Sequence, residues 1–245
     1  MIPPETYLQF HTVAMLPPIA ALAVLSWVRP SIHDRRQAVS GLVIIATLAF
    51  LYTIPWDNFL IRRGVWVYGE NVVWGRLWAV PVGEALFFVL QPLLTALWLY
   101  RLPFSTTGSL AVSVRQRATG VLAGVGVGVG GGLLLLGEST FYLGAILAWT
   151  GPILAIQWGF GWTQLWKNRR VVTLAVGLPT LYLWVVDWTA ISLGLWTISP
   201  QYSIGIAPFG FPIEEAVFFL VTNLFVVQGL ILYSWLLDRW GDWEG

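Results

Sequence analysis

The stretch Phe-Pro-Ile-Glu-Glu-Ala-Val-Phe-Phe-Leu, residues 211–220, sets Glu214 and Glu215 side by side in an otherwise apolar run. Ionised carboxylates are among the most expensive groups to take out of water, and such runs keep them only when paired, protonated or used. Phe218 and Phe219 follow at helical spacing, on the glutamates' own face. A carboxyl against phenyl rings is desolvated, which favours its neutral, proton-carrying form, and repulsion between adjacent acids adds to this. The chemistry on offer is that of a buried proton donor. The plain alternative is structural: Pro212 starts a helix, and an acid in the first turn suits the helix dipole.

A copy of the pattern lies upstream. Pro81, Glu84, Phe87 and Phe88 match Pro212, Glu215, Phe218 and Phe219 at an offset of 131. Asp57 matches Asp187, and Gly64-Val65-Trp66 matches Gly194-Leu195-Trp196, at an offset of 130. Each half thus reads as an Asp at the outer end of its second apolar span, an aromatic-rich connection of about 24 residues, and a proline-started helix bearing the glutamate. Asp57 and Asp187 either mark span ends or share a role, with Arg62, Arg63 or Arg76 as candidate partners. Trp66 and Trp196 lie in the long connections, which act as lids or site walls, and are candidates for cation–π contact with a substrate. Gly83 stands where the second copy has Glu214, which therefore has no counterpart. His11, alone in the first span, reads as a helix-contact histidine rather than a ligand. The 16 tryptophans exceed what interfacial belts need, although belts account for most of them.

A bundle of membrane-spanning helices must position these groups. Hydrophobic residues make up 57% of the chain and charged residues 10%, with a mean hydropathy of +0.74, where a soluble domain has about 25% charged residues. The 245 residues hold about seven spans of roughly 20 residues each. They are expected near 6–28, 38–56, 79–100, 118–137, 139–163, 171–187 and 208–237. The expected fold is all-α and integral to the membrane: two parallel three-helix repeats, 1–117 and 138–245, joined by a glycine-rich span, 118–137.

Gly126, Gly128 and Gly131 of that joining span fit G-x-G-x-x-G, but no strand precedes them and the setting is apolar. Close helix packing is the reading, not a dinucleotide site. If the spans alternate, one set of loops holds Arg29, Arg35, Arg36, Arg101, Arg115, Arg117, Lys167, Arg169, Arg170 and Arg239, and the other only Arg62, Arg63 and Arg76. The richer set should be cytoplasmic and the N-terminus outside. The N-terminus has no basic region or small-residue cleavage site, so the first span is expected to be a retained helix. With no cysteine, disulfide and thiolate chemistry are excluded. A net charge of +1 points to no nucleic-acid partner.

Three other classes can be weighed on the residues. A seven-span retinal protein needs a lysine inside its last helix, whereas the single lysine, Lys167, is in a loop. A magnesium-dependent prenyltransferase needs aspartate clusters, whereas Asp57 and Asp187 stand alone, so no metal site is expected. A proton-coupled carrier with intramembrane glutamates as a relay remains open.

The chain resembles the membrane lycopene cyclases, both the heterodimeric bacterial enzymes, as a fused form, and the cyclase part of fungal fusions with phytoene synthase. The resemblance covers essentially the whole chain as two tandem cyclase repeats. Its mark is P-x-E-[E/D], matched by Pro212-Ile213-Glu214-Glu215 and departed from at Gly83 in Pro81-Val82-Gly83-Glu84. It implies carotenoid biosynthesis: cyclisation of the ψ ends of lycopene to β-rings, by protonation at C2, attack of the C5=C6 bond on the C1 cation, and proton loss from C6. Glu214, Glu215 and Glu84 would then be acid and base, and Phe87, Phe88, Phe218, Phe219, Trp66 and Trp196 would hold the cation. Nothing is oxidised or reduced overall, and no flavin site is seen, so no cofactor is expected.

Overall fold

The computed structural model of the chain describes residues 6–28 and 34–240. Among these are seven long helices: α1 (Tyr7–Val28), α2 (Arg35–Arg63), α3 (Val82–Leu99), α4 (Val114–Leu134), α5 (Phe141–Lys167), α6 (Arg169–Ser192) and α7 (Ile213–Trp240). All seven are long and apolar enough to cross a membrane, and the chain is an all-α, multi-pass membrane protein. Four very short strands, β1 (Trp66–Tyr68), β2 (Arg76–Leu77), β3 (Val80–Pro81) and β4 (Trp196–Ile198), lie in the two long connections.

Several helices outrun the apolar windows. α2 was expected to end at 56, just before Asp57, but runs on to Arg63, and α6 runs past Asp187 to Ser192. The residues after Asp57 are sound helix formers, two arginines fall in the last turn where the dipole favours cations, and Gly64 closes the helix at φ 76°. Asp57 and Asp187 are therefore a turn or more inside their helices, and both are buried. α3 and α7 begin at 82 and 213, later than hydropathy suggests, because the preceding apolar residues belong to the connections.

Strand β1 pairs with β4 antiparallel: Trp66 opposite Ile198, Val67 opposite Thr197, Tyr68 opposite Trp196. The central pair joins two residues 130 apart. Outside the ladder the bonds also come in matched sets. Val65 N–H donates to Leu60 O and Leu195 N–H to Ala190 O, both at 3.1 Å; Tyr7 N–H donates to Val72 O at 3.0 Å and Tyr142 N–H to Tyr202 O at 3.1 Å.

α4 packs along α5 through small residues. A Cβ on Gly124 would lie 2.2 Å from Ala155 N, and one on Gly131 2.2 Å from Ala148 N, both backbone atoms. The glycines thus serve backbone approach between helices, and 114–134 is one unbroken helix with no dinucleotide turn. Deeper in the bundle, Asn223 Oδ1 accepts from Gln91 Nε2 and Thr95 Oγ1, each at 2.6 Å, while its Nδ2 donates to Thr180 Oγ1 at 3.1 Å. This knot ties α3, α6 and α7 where no water can compete.

Candidate active site

The N-terminal ends of α1, α3, α5 and α7 and the C-terminal ends of α2 and α6 meet at one end of the bundle, roofed by the β1–β4 pair. Beneath that roof is a chamber of about 30 Å³, enough space for a water molecule or two. Glu84 from α3 and Glu215 from α7 both line it, 8% and 2% exposed. Asp187 of α6 lines it as well. So do Phe87, Phe88, Phe218 and Phe219, one helical turn below the glutamates, and Trp66 and Trp196 from the strands. Eight of the aromatic and acidic residues expected at a site are thus gathered with Asp187 around one closed space.

The rings meet edge to face. Trp66 and Trp196 are 6.3 Å apart at 74°, and Phe87 and Phe219 5.9 Å apart at 89°. Both pairs take one ring from each half of the chain. Edge-to-face contact is a favoured geometry for such rings.

Each glutamate has a tyrosine donor. Tyr142, fully buried at the start of α5, donates its hydroxyl to Glu215. Tyr68, half-buried in β1, donates to Glu84. Burial and the Glu84 carboxyl beside it hold the Tyr68 phenol well above the ordinary tyrosine range, so it remains a donor at any working pH. The Arg76 guanidinium sits 5.3 Å over the Tyr68 ring, at a shallow outer groove that also includes Asn71. The two glutamates therefore differ in setting: Glu84 is one phenol away from the rim, whereas Glu215 is enclosed. Tyr7 and His11 of α1 complete the wall, their rings 4.4 Å apart and the His11 ring 5.0 Å from that of Phe87.

Glu214 is placed apart from the others. It is fully buried, but it does not line the chamber, and its Oε1 accepts from Ile204 N at 2.8 Å, holding the second connection down. At the matching position, a Cβ on Gly83 would lie 3.0 Å from the Leu8 Cα, since α1 crosses α3 there. A glutamate at Gly83 would not fit.

Asp57 is fully buried with neither carboxyl oxygen hydrogen-bonded. The expected pairing of Asp57 with Arg62, Arg63 or Arg76 does not form. Arg62 and Arg63 lie in the exposed last turn of α2, with the Arg63 guanidinium 4.1 Å over the Phe141 ring, and Arg76 bonds Ala79 O at 2.6 Å. The extra turn of α2 beyond Asp57 carries the arginines out of reach.

Tyr7, Tyr68, Tyr142 and the wall role of His11 were not read from the sequence. Tyr7 and Tyr142 hold corresponding places, yet their offset is 135 rather than 130 or 131, and each blends into an apolar span.

The family model for lycopene cyclase matches residues 7–102 and 139–236. The chain is 51% identical to a lycopene beta-cyclase of Halobacterium salinarum over 235 residues, which is 96% of this chain and 98% of that protein. It is 36% identical to a bifunctional lycopene cyclase/phytoene synthase of Arthroderma gypseum, covering 91% of this chain and 40% of that protein. A protein of the same description from Gibberella fujikuroi is also 36% identical, with coverage of 92% and 39%. No solved structure matches. The family match takes in six of the seven helices and every residue of the chamber, and the chain belongs to the lycopene cyclase family.

Proposed function

We propose that this chain is a lycopene beta-cyclase, an enzyme of carotenoid biosynthesis that closes the ψ ends of lycopene to β-rings within the membrane. One observation carries the reading. Two carboxyl groups from different halves of the chain face a single small chamber whose other walls are largely aromatic. Cyclisation needs an acid on one side of the forming ring and a base on the other, with a cation between them and no water. Glu84 on α3 and Glu215 on α7 supply the acid and the base. In this reading Glu84, joined through Tyr68 to the outer rim, exchanges protons with the aqueous phase, and Glu215 with Tyr142 works inside. Glu214 fixes the second connection over the chamber. Asp187 supports the wall, and Asp57 is a buried carboxyl of α2 that does not line the chamber.

The chain further reads as two three-helix repeats, 1–117 and 138–245, with 118–137 between them. The strand pairing centred on Val67 and Thr197 supports this, as do the matched bonds on either side of it. Such a register is what two equivalent strands form across a two-fold axis. The basic residues support an arrangement in the cell membrane with the chamber at the outer end and the N-terminus outside; Arg29, one of that set, lies outside the described residues.

The reading is tested by expression in a lycopene-making host, with the pigments separated by chromatography. Monocyclic and bicyclic β-ring products are expected, and unchanged lycopene beside normal protein levels would refute it.

The aromatic wall gives a sharper prediction. Protonation creates positive charge with no counter-ion, and ring faces stabilise a cation by about 0.5–2 kcal/mol each. Trp196→Leu or Phe219→Leu is expected to slow turnover several-fold at equal protein level and to release hydroxylated or acyclic side products. Leucine keeps much of the apolar volume, so the loss reports the π face. A clean β-ring product at the normal rate in both variants would mean that these rings only pack.

A further inference from the structure

The chamber is far too small for a long polyene, and next to it is a space that is not. Between α2, α5 and α7 runs a groove of about 330 Å³, within the size range of ligand pockets. Phe87, Phe88 and Phe218 line both spaces, so three phenyl rings form the partition between groove and chamber. We propose that this groove holds the polyene arm of the acyclic carotenoid, whose end group enters the chamber when the three rings of the partition move apart, one arm at a time. The inference rests on the cyclase reading above and adds where the rest of the substrate goes.

Four observations support that occupant over any polar one. The lining is apolar over most of its extent, with Leu48, Ala49, Ile153, Ile156 and Phe225 contributing. The groove faces lipid, since Leu48 is 57% and Ile156 68% exposed on two different helices, so a lipid-dissolved chain reaches it sideways without crossing water. A ladder of flat rings runs from the groove to the chamber. Tyr52 stacks on Trp149 at 5.3 Å and 21°, Trp149 on Trp56 at 4.8 Å and 22°, and Trp56 on Phe218 at 5.9 Å and 6°. Tyr52 also donates to Trp149 O at 2.8 Å, tying α2 to α5 beside the groove. Along this path a flat conjugated chain meets aromatic as well as aliphatic surface, with Tyr52, Trp149, Phe218 and Phe225 in the lining.

The length sets how much of the substrate is held. From Ile45 to Thr53 the α2 wall rises about 12 Å, less than half of the roughly 30 Å hydrocarbon core. A long linear polyene therefore leaves its far end in lipid. The site cannot sense whether that end is already cyclised. Both ends are then closed in separate visits, with the one-ring product released between them.

Ala49 is the smallest side chain on the α2 wall, and the graded series Ala49→Val, Ala49→Leu and Ala49→Phe fills the groove from that side. Binding is read separately from chemistry, as the visible circular dichroism that achiral lycopene acquires when held by Glu215→Gln protein in lipid nanodiscs. The expected result is a graded loss of that signal, at least ten-fold in affinity for the largest variant that folds. A parallel loss of cyclisation is expected in the active background, with Leu178→Phe on the lipid face of α6 as an unaffected control. A time course with wild-type protein should show the one-ring product free in the bilayer before the two-ring product. Full binding and turnover in the Val and Leu variants would overturn the proposal and leave the groove to lipid acyl chains. If wild-type protein leaves lycopene uncyclised while Ala49 substitution still abolishes its binding, the cyclase reading fails and the groove assignment stands.

Discussion

Glu84→Gln and Glu215→Gln are each expected to cut ring formation by roughly 100- to 10,000-fold at unchanged protein level, the range over which a general acid or base acts. Glutamine keeps the shape and the capacity to accept the tyrosine hydrogen bond, so the loss isolates the missing proton. Glu214→Gln is the informative contrast. Its amide oxygen can still accept the Ile204 N–H that Glu214 holds at 2.8 Å, and most activity should remain. Rates of β-ring formation in membranes, normalised to protein, decide between them. An inactive Glu214→Gln beside an active Glu215→Gln would reverse the assignment and place the chemistry outside the chamber.

The second large effect concerns the halves. The chamber takes Glu84, Phe87 and Trp66 from one and Glu215, Phe218 and Trp196 from the other, and the β1–β4 ladder joins them overhead. Residues 1–112 or 113–245 expressed alone are therefore expected to give no cyclisation. Expressed together they should assemble and recover it. The break falls just before Ser113, whose side chain caps α4, and it keeps α4 with α5, against which its glycines pack. Recovery is measured as pigment in a lycopene-making host. Full activity from a single half would end the shared-chamber account.

Most of the chamber was legible because matching residue types recur at a nearly fixed offset. Glu84 with Glu215, Phe87 with Phe218, Phe88 with Phe219 and Trp66 with Trp196 were all found by offset, and all line it. Glu214 was harder. Residues adjacent on a helix point about 100° apart, so two neighbouring glutamates do not both face one small chamber, and that argument favours the copy with a counterpart. The tyrosines were missed for a different reason. Phenols inside apolar spans look like packing, and Tyr7 and Tyr142 stand 135 apart, outside the common offset. The helix ends past Asp57 and Asp187 were missed because hydropathy falls before helicity does: Arg62 and Arg63 leave the apolar window but still suit a helix C-terminus. No single-sequence pattern announces the lipid-facing groove, which exists only once α2, α5 and α7 are packed.

The ladder between β1 and β4 also bears on ancestry. A contact in which a segment meets its own equivalent, with Val67 opposite Thr197, is an isologous contact, the kind a homodimer makes with itself. A half-length ancestor with this strand could have paired with an identical copy and closed a symmetric chamber with two like glutamates. On the proposed repeat, joining two copies through α4 would free them from being identical. One half could then keep a glycine where a helix crosses closely, at Gly83, while the other placed Glu214 under its connection. A symmetric dimer has to use one sequence on both sides of its reaction. The single chain gives Glu84 and Glu215 different neighbours, a phenol at the rim for one and an enclosed phenol for the other.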